Sequence, residues 1–443
     1  METNLARIAE AARKRPNEKF TSLAHLINKE AIKECHKEMN NKKAAGVDEV
    51  TKEEYEKDLE FKVEDLVKRM KRQAYKPQPV KRVYIPKPGS KKKRPLGIPA
   101  YEDKLVQSAL AKILNAIYEQ DFLECSFGFR PNRGCHDALK VLDKIVNKRE
   151  INYIVDADIK AFFDNVDHEW LMRFVQHRII DPNILRLISR FLRSGIIEAG
   201  IEYESPEGTP QGGCCSPILG NIYLHYVLDL WFEKVYRKKC RGKAYMVRYA
   251  DDVVFCFQYK EDAEAFYKEM IERLGKFKLE VAEEKTKILS LGKEDNDEDN
   301  IAGGCKGNNS FDFLGFTHYM GKDKNGSKRI KRKTSKKKYR ASLLRCKLWI
   351  KMNRNMPIKD FMQKMNIKLQ GYCRYYGVTD NLNAVSNFIY EVGRILYKWL
   401  NRRSQCKSFN WGKFNLFLKK YPLPKAKTHV RIFDLGMGSS YAM

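Results

Sequence analysis

The spacing of apolar and polar positions changes twice along this chain, and the changes divide it into regions. Residues 1–75 carry apolar residues at helical spacing among many charges. Residues 76–320 mix short apolar strands with helical stretches and Gly/Pro turns, which predicts an α+β core. Residues 321–403 return to helical spacing, and residues 404–443 form a basic, aromatic C-terminal segment.

One helix of the third region can be predicted in detail. In "MPIKDFMQKMNIKLQGYCRYYG" the lysines fall on the face opposite the apolar residues, as in a helix with one buried side. The predicted buried positions are Ile358, Phe361, Met362, Met365 and Leu369.

The charge balance narrows the function. The chain has 443 residues, and its 85 Lys and Arg against 56 Asp and Glu give a formal net charge of +29 at pH 7. A chain of this length predicts two or three domains, and its 43% of hydrophobic residues is enough to form their cores. A charge this large favours a polyanionic partner, and nucleic acid is the first candidate.

An anionic membrane is the rival partner. No apolar run approaches the ~20 residues of a membrane span, and no signal segment opens the chain. The eleven cysteines show no zinc spacing, which indicates reduced thiols. We therefore expect a soluble, cytoplasmic protein that makes no membrane contact.

Two neighbouring carboxylates interrupt an apolar hairpin in "VRYADDVVFCF". Asp251 and Asp252 occupy its turn, and the next residue is Val253 rather than the glycine that an ordinary tight turn favours. A second strand, in "INYIVDADIKAFFDNVDH", runs into Asp156 and Asp158. If the two segments are neighbours, their carboxylates form a cluster of oxygen ligands.

Such a cluster is typical of two-metal phosphoryl transfer, in which two ions lie roughly 3.5–4 Å apart and contact the attacking and leaving oxygens. The alternative is that Asp158 caps the following helix and that the Asp pair merely forms a turn. Each motif alone favours its structural explanation. Together, on a chain this basic, they favour the metal site.

Several motifs stand in the order found in one enzyme family. The chain resembles group II intron-encoded reverse transcriptase/maturases over nearly its whole length. The motifs are "KKAAGVDEVT" (42–51), "IPKPGSKKKRPLGIP" (85–99), "SFGFRPNRGCHDAL" (126–139), "VDADIKAFFDNVDH" (155–168), "GTPQGGCCSPILGNIYLH" (208–225), "YADD" (249–252), "FDFLGF" (311–316) and "GYCRYYG" (371–377).

The resemblance implies a right-hand polymerase, with fingers and an antiparallel-sheet palm followed by an all-α maturase/thumb domain. It divides the chain into an N-terminal extension and start of the fingers (1–75), fingers and palm (76–320), thumb (321–403) and a possible small DNA-binding region (404–443). No HNH endonuclease domain is expected. The implied catalytic metal ligands are Asp158, Asp251 and Asp252, with Mg²⁺ as cofactor and Mn²⁺ as a substitute.

The resemblance also implies a nucleotide site. Its expected contacts are Lys87 and Arg94 at the triphosphate and Gln211 near the templating pair. One of Phe162 and Phe163 should lie under the sugar and exclude a 2′-hydroxyl, while the other belongs to the core, and spacing leaves the choice open. The alternatives are a solvated basic loop for the cations and an ordinary Gly/Pro turn around Gln211.

RNA contacts are expected in two places. Arg130 resembles a fingers residue that contacts template backbone, although packing on neighbouring aromatic rings explains it equally well. From residue 326 to 355 there are 13 Lys and Arg and no acidic residue. From this run we expect phosphate contacts by Lys331, Arg332, Lys333, Lys336, Lys337, Lys338 and Arg340.

The expected function is RNA-directed DNA synthesis together with binding of the parent intron RNA to assist splicing and mobility. The expected partners are group II intron RNA, an RNA template with a DNA primer, target DNA and deoxynucleoside triphosphates. The resemblance also implies a bacterial protein that associates with the nucleoid when it acts on DNA. Two alternatives stay open: a domesticated relative acting in phage defence or DNA repair, and a splicing-only maturase. The complete set of motif residues argues against the second of these.

Overall fold

A computed structural model describes residues 2–86, 93–147, 150–198, 201–203, 207–209, 212–284, 286–291, 310–323, 325–403, 408–434 and 436–442. The chain forms two compact units. Unit 1 comprises Met1–Pro86, Lys92–Gly134 and Val155–Ile288, and unit 2 comprises Lys87–Lys91, Cys135–Ile154 and Leu289–Met443. The boundary between Ile288 and Leu289 precedes the change of sequence pattern at residue 321. The internal segment Cys135–Ile154 also belongs to unit 2.

Helices occupy both units, and several begin at residues suited to capping. The side chains of Asn28, Thr51, Asp167, Asp181 and Ser335 accept hydrogen bonds from the first-turn backbone. No helix of the described ranges is both long and apolar enough to cross a membrane. The helices are α1 (Glu2–Lys14), α2 (Lys29–Glu38), α3 (Lys52–Glu56), α4 (Leu59–Lys71), α5 (Tyr101–Tyr118), α6 (Cys135–Asn147), α7 (His168–Val175), α8 (Pro182–Leu192), α9 (Ser216–Leu224), α10 (Arg237–Lys239), α11 (Lys260–Lys276), α12 (Lys336–Asn353), α13 (Ile358–Tyr376), α14 (Leu382–Leu400) and α15 (Trp411–Lys420).

The strands form three small sheets, so the fold is mixed α+β. The sheet orders are β2-β1-β4-β5, β6-β7-β3-β8 and β11-β10-β9. The strands are β1 (Val80–Pro86), β2 (Lys93–Ile98), β3 (Tyr153–Asp158), β4 (Ile196–Glu198), β5 (Ile201–Tyr203), β6 (Ala244–Tyr249), β7 (Asp252–Phe257), β8 (Lys287–Ser290), β9 (Ser310–Phe313), β10 (Phe316–Lys322) and β11 (Lys328–Thr334).

The core of unit 1 surrounds β6 and β7. Every residue from Val253 to Phe257 is at most 1% exposed, so β7 is covered on both faces, as its unbroken apolar run predicts. Phe266 of α11 lies 4.3 Å from Phe255 between ring centroids, and Phe232 lies 5.2 Å from the same ring. This packing gives the strands that carry the aspartates a rigid support.

The helical part of unit 2 has its own core. On α13, Phe361, Met362, Met365 and Leu369 are buried against residues of α12 and α14, and Ile358 packs beside them. The predicted amphipathic helix is therefore confirmed, together with its buried face. The expectation of an all-α domain over residues 321–403 is wrong, because β11 lies inside that range and pairs with β10 in an antiparallel sheet.

Candidate active site

Asp158 is the last residue of β3. The backbone N–H of Ala282 donates a hydrogen bond to the Asp158 carbonyl oxygen (2.8 Å), which fixes this end of the strand. The chain then turns at Ala161, with φ at 44°, into the 3₁₀ turn Phe162–Asp164. The next helix, α7, is capped by Asp167. Asp158 therefore caps neither the 3₁₀ turn nor α7, so the helix-cap alternative raised for it is wrong.

Asp251 and Asp252 lie where β6 turns into β7. Tyr249 pairs with Asp252 in the antiparallel register, which leaves Ala250 and Asp251 as the two turn residues. Ala250 has φ at 57°, a left-handed conformation that is uncommon without glycine. Because β7 lies between β6 and β3, the turn and Asp158 belong to neighbouring strands, as the sequence pattern predicts.

The electrostatics of Asp251 connect these segments. Burial raises the pKa of Asp251 above its ordinary value, and the negative charge of Asp158 raises that pKa further. The positive charges of Arg94 and Arg248 act in the opposite direction. A buried carboxylate beside a second negative charge favours a bound cation, because a cation relieves both the cost of burial and the repulsion.

These donors fit a magnesium ion. Among the described residues, no three His, Cys, Asp or Glu side chains converge as a closed metal cage. Mg²⁺ does not need one, because in phosphoryl-transfer sites one or two carboxylates hold it while water and substrate phosphates supply the other oxygens. Asp158 and Asp251 match that donor set, and Asp252 follows directly at the start of β7.

Of the two neighbouring phenylalanines, Phe162 lies in the core and Phe163 borders a cavity. Phe162 is 2% exposed, and its ring packs against Phe163 and Tyr223 at centroid distances of 5.0 and 6.3 Å. Phe163 is half-buried and lines a cavity of about 310 Å³. Gly220 of α9 makes room for both rings, since a Cβ there would lie 3.0 and 3.1 Å from them. Phe163 is thus the ring that faces open space.

Close backbone approach occurs in the "TPQGG" segment. Gly212 has φ at 120°, and a Cβ on it would lie 2.4 Å from the carbonyl oxygen of Gly97 in β2. Only glycine tolerates this combination of conformation and proximity. Gln211 and Pro210 lie outside the described residues, so the expected nucleotide contact of Gln211 stays a prediction.

The basic hairpin expected at the triphosphate is formed by β1 and β2. Ile85 pairs with Arg94, and Pro86 pairs with Lys93. Arg94 is exposed, yet its charge acts on Asp251, so it lies within electrostatic reach of the carboxylates. Lys87, in the stretch 87–92, lies outside the described residues.

Arg130 is not available to a template, and the expected backbone contact is wrong for this structure. The side chain is 2% exposed and donates from Nε and Nη2 to the Glu119 carboxylate at 3.0 and 2.7 Å. Nη1 donates to the carbonyl oxygens of Leu123 and Ser126, and the guanidinium lies 5.4 Å from the Phe122 ring centroid. The aromatic-packing alternative is the arrangement found.

In the part of the basic run that forms β11, alternate side chains face the core and the solvent. In β11, Arg332 is fully buried and pairs with Asp143 of α6, so the expected RNA contact of Arg332 is wrong. Lys333 points to the other face and is exposed, and Lys331 is half-buried. The remaining expected contacts are exposed on α12: Lys336, Lys337, Lys338 and Arg340.

Sequence reasoning missed Arg248, a fully buried guanidinium next to the Asp251 turn. The available signal was a single cation inside the apolar strand "AYMVRYA". Its carboxylate partner, Asp229, lies in the π-helical turn His225–Asp229, on a separate element.

A family model described as reverse transcriptase (RNA-dependent DNA polymerase) matches residues 85–318. That stretch contains Arg94, the aromatic pair and all three aspartates.

Known relatives agree with this match. The group II intron-encoded protein LtrA of Lactococcus lactis subsp. cremoris is 30% identical over 87% of this chain and 75% of its own. Protein YkfC of Escherichia coli K12 is 33% identical over 55% of this chain and 71% of its own. Nuclear intron maturase 2 of Arabidopsis thaliana is 28% identical over 23% of this chain and 14% of its own. The chain belongs to the reverse transcriptase family, among the group II intron-encoded proteins.

Proposed function

We propose that this protein copies RNA into DNA and binds its parent group II intron RNA to assist splicing and mobility. The observation that carries the proposal is the meeting of Asp158 with the Asp251–Asp252 turn on neighbouring strands. The surrounding residues are those that match the reverse transcriptase family.

We assign fingers and palm to residues 76–320, the thumb to 321–403, the N-terminal extension to 1–75 and a small DNA-binding region to 404–443. The sheet of β6, β7, β3 and β8 supports the palm assignment because it carries the aspartates. The helical core of α12, α13 and α14 supports the thumb assignment.

In the proposed site, Asp158 and Asp251 hold Mg²⁺, or Mn²⁺ in its place, with Asp252 supporting them. When bound, the divalent ions supply positive charge to the attacking, leaving and phosphoryl oxygens. Arg94 offers the incoming triphosphate a rigid fork of N–H donors. Phe163 lies under the sugar, since it faces the cavity while Phe162 is in the core. Lys87 and Gln211 complete the nucleotide site by resemblance.

RNA binding is assigned to a basic groove in unit 2. The groove has a volume of about 730 Å³, and its described lining includes Tyr319, Lys333, Lys336 and Arg340 and no acidic residue. Cations beside a half-buried aromatic ring suit a strand of nucleic acid, because phosphates pair with the cations and a base can stack on the open part of the ring. Lys331, Lys337 and Lys338 extend the same run.

The test is a pair of assays on Asp251→Asn. Primer extension on an RNA template with Mg²⁺ should fall by orders of magnitude, because the carboxylate that holds the ions is lost. Splicing of the parent intron should stay near wild type, since in this family the RNA performs the splicing chemistry. Asp58→Asn, at an exposed carboxylate, is the matched control. A folded Asp251→Asn protein that loses less than about tenfold in rate would rule out Asp251 as a metal ligand.

A further inference from the structure

Arg248 makes an unusually complete set of hydrogen bonds for a buried cation. A guanidinium has five N–H groups, and here each has an acceptor. Nε and Nη2 donate to the two carboxylate oxygens of Asp229 at 2.7 and 2.5 Å. Nη2 also donates to Ser126 Oγ (2.8 Å), and Nη1 donates to Asn221 Oδ1 (3.1 Å) and to the carbonyl oxygen of Ala250 (3.0 Å).

The bond to Ala250 reaches the turn that carries the aspartates. The Ala250 carbonyl belongs to the same rigid peptide plane as the backbone N–H of Asp251. Holding that carbonyl therefore fixes the orientation of the peptide and the direction in which the Asp251 side chain leaves the backbone. Ala250 itself has φ at 57°, a conformation that needs such outside support.

The segment from Cys125 to Gly128 packs against the end of β6, next to the turn. The backbone N–H of Arg248 donates to the Cys125 carbonyl (2.8 Å), and that of Phe127 donates to the Arg248 carbonyl (2.9 Å). Gly128 permits this approach, because a Cβ on it would lie 2.3 Å from the backbone nitrogen of Ala250. The turn is thus held by backbone contacts as well as by the guanidinium.

A gain in folding stability does not explain why the Arg248–Asp229 pair is buried here. Arg248 and Asp229 are both 0% exposed, and the desolvation of such a pair offsets most of its attraction. An apolar pair of similar volume would fill this part of the core at least as well. What an apolar pair lacks is a donor directed at the Ala250 carbonyl.

We propose that Arg248, held by Asp229, is a positioning residue for nucleotidyl transfer. Its guanidinium fixes the Ala250–Asp251 peptide and so directs the Asp251 carboxylate toward the position it shares with Asp158. The inference rests on the polymerase function proposed above. A displacement of the reacting groups by ~1 Å can cost about 100-fold in rate, so a small shift of this peptide has a large effect.

The first test is Arg248→Lys, which keeps the charge but cannot reach all five acceptors. We expect kcat for primer extension to fall about 100-fold, with KM for the nucleotide changed by less than about twofold. Amide hydrogen exchange in residues 249–252, measured without substrate or metal, should become faster while the rest of unit 1 keeps its protection.

A matched control comes from a second Arg–Asp pair of unit 1, in which the guanidinium is buried and the carboxylate is half-buried. Arg178 pairs with Asp121 at 2.7 Å and donates to the carbonyl oxygens of Ala12 and Pro16, all of which lie outside the turn at residues 249–252. Arg178→Lys should lower the unfolding temperature yet keep kcat and the exchange of residues 249–252 near wild type. It separates loss of stability from loss of positioning.

Ser126→Ala provides a milder variant in case Arg248→Lys does not fold. It removes one neutral acceptor of the guanidinium, and we expect kcat to fall about fivefold at unchanged KM. The proposal is overturned if the folded variants keep wild-type kcat and exchange, or if Arg178→Lys reproduces their loss. If the wild-type protein extends no primer, the polymerase proposal fails, and the exchange measurement alone decides whether Arg248 holds the turn.

Discussion

Arg332 and Lys333 are neighbours in one basic strand, yet the same substitution should affect them differently. Successive side chains of a strand face opposite sides, and here Arg332 is buried against Asp143 while Lys333 is exposed, 5.0 Å from the Tyr319 ring centroid. We expect Arg332→Gln to reduce stability and Lys333→Gln to reduce RNA binding. Each variant removes one positive charge, so each serves as the other's control.

The magnitudes follow from the burial. Burial lowers the pKa of Arg332 to about 10, so the guanidinium is still charged at neutral pH. Removing it leaves the Asp143 carboxylate, which is 7% exposed, without its cation. Breaking a buried pair costs about 3–5 kcal/mol, which lowers the unfolding temperature of a unit of this size by roughly 10 °C. Lys333→Gln loses an exposed cation–π contact worth about 0.5–1 kcal/mol, or roughly 2 °C.

The assays are thermal unfolding of each variant and RNA binding across a series of salt concentrations, at temperatures where both are folded. Lys333→Gln should flatten the log–log salt slope by about 0.7–0.9, the contribution of one phosphate contact. Arg332→Gln should leave that slope unchanged. The reasoning fails if Arg332→Gln flattens the slope or if the two variants unfold at the same temperature.

Three further predictions concern the remaining site residues. Phe163→Ala should raise ribonucleotide incorporation far more than it lowers deoxynucleotide use. Phe162→Ala should leave discrimination between the two sugars intact and destabilise the protein by about 3–5 kcal/mol. Unchanged sugar discrimination in Phe163→Ala would contradict the assignment. Replacing the three lysines at 336–338 by Gln should flatten the salt slope of RNA binding by about 0.7–0.9 for each phosphate that is no longer neutralised, and an unaltered slope would exclude this surface. The raised pKa of Asp251 means that its protonated form stabilises the fold at low pH, and this contribution is lost as pH rises through the folded-state pKa. Asp251→Asn should therefore raise the unfolding temperature of the metal-free protein at pH 7 but not in acid. A lower unfolding temperature at pH 7 would contradict the direction of the pKa shift.

The local elements can be predicted from the residue pattern alone. The apolar runs on either side of "ADD" predicted the hairpin of β6 and β7, and helical spacing predicted the buried face of α13. These predictions succeed because the periods of about 2 and 3.6 residues record which face of an element meets the core. The order of the motifs likewise identified the family, because residues that perform the chemistry are constrained in type and spacing.

Which charged and aromatic side chains face the solvent depends on packing between elements that are distant in the sequence. Arg130 meets Glu119, Arg332 meets Asp143, and Arg248 meets Asp229, and each acid lies on another element of the chain. The residue type alone does not distinguish a buried cation from a surface cation. A cation can be buried only when folding brings a carboxylate or carbonyl oxygen next to that cation. The choice between Phe162 and Phe163 has the same cause, since Tyr223 packs against the ring of Phe162 whereas Phe163 lines the cavity.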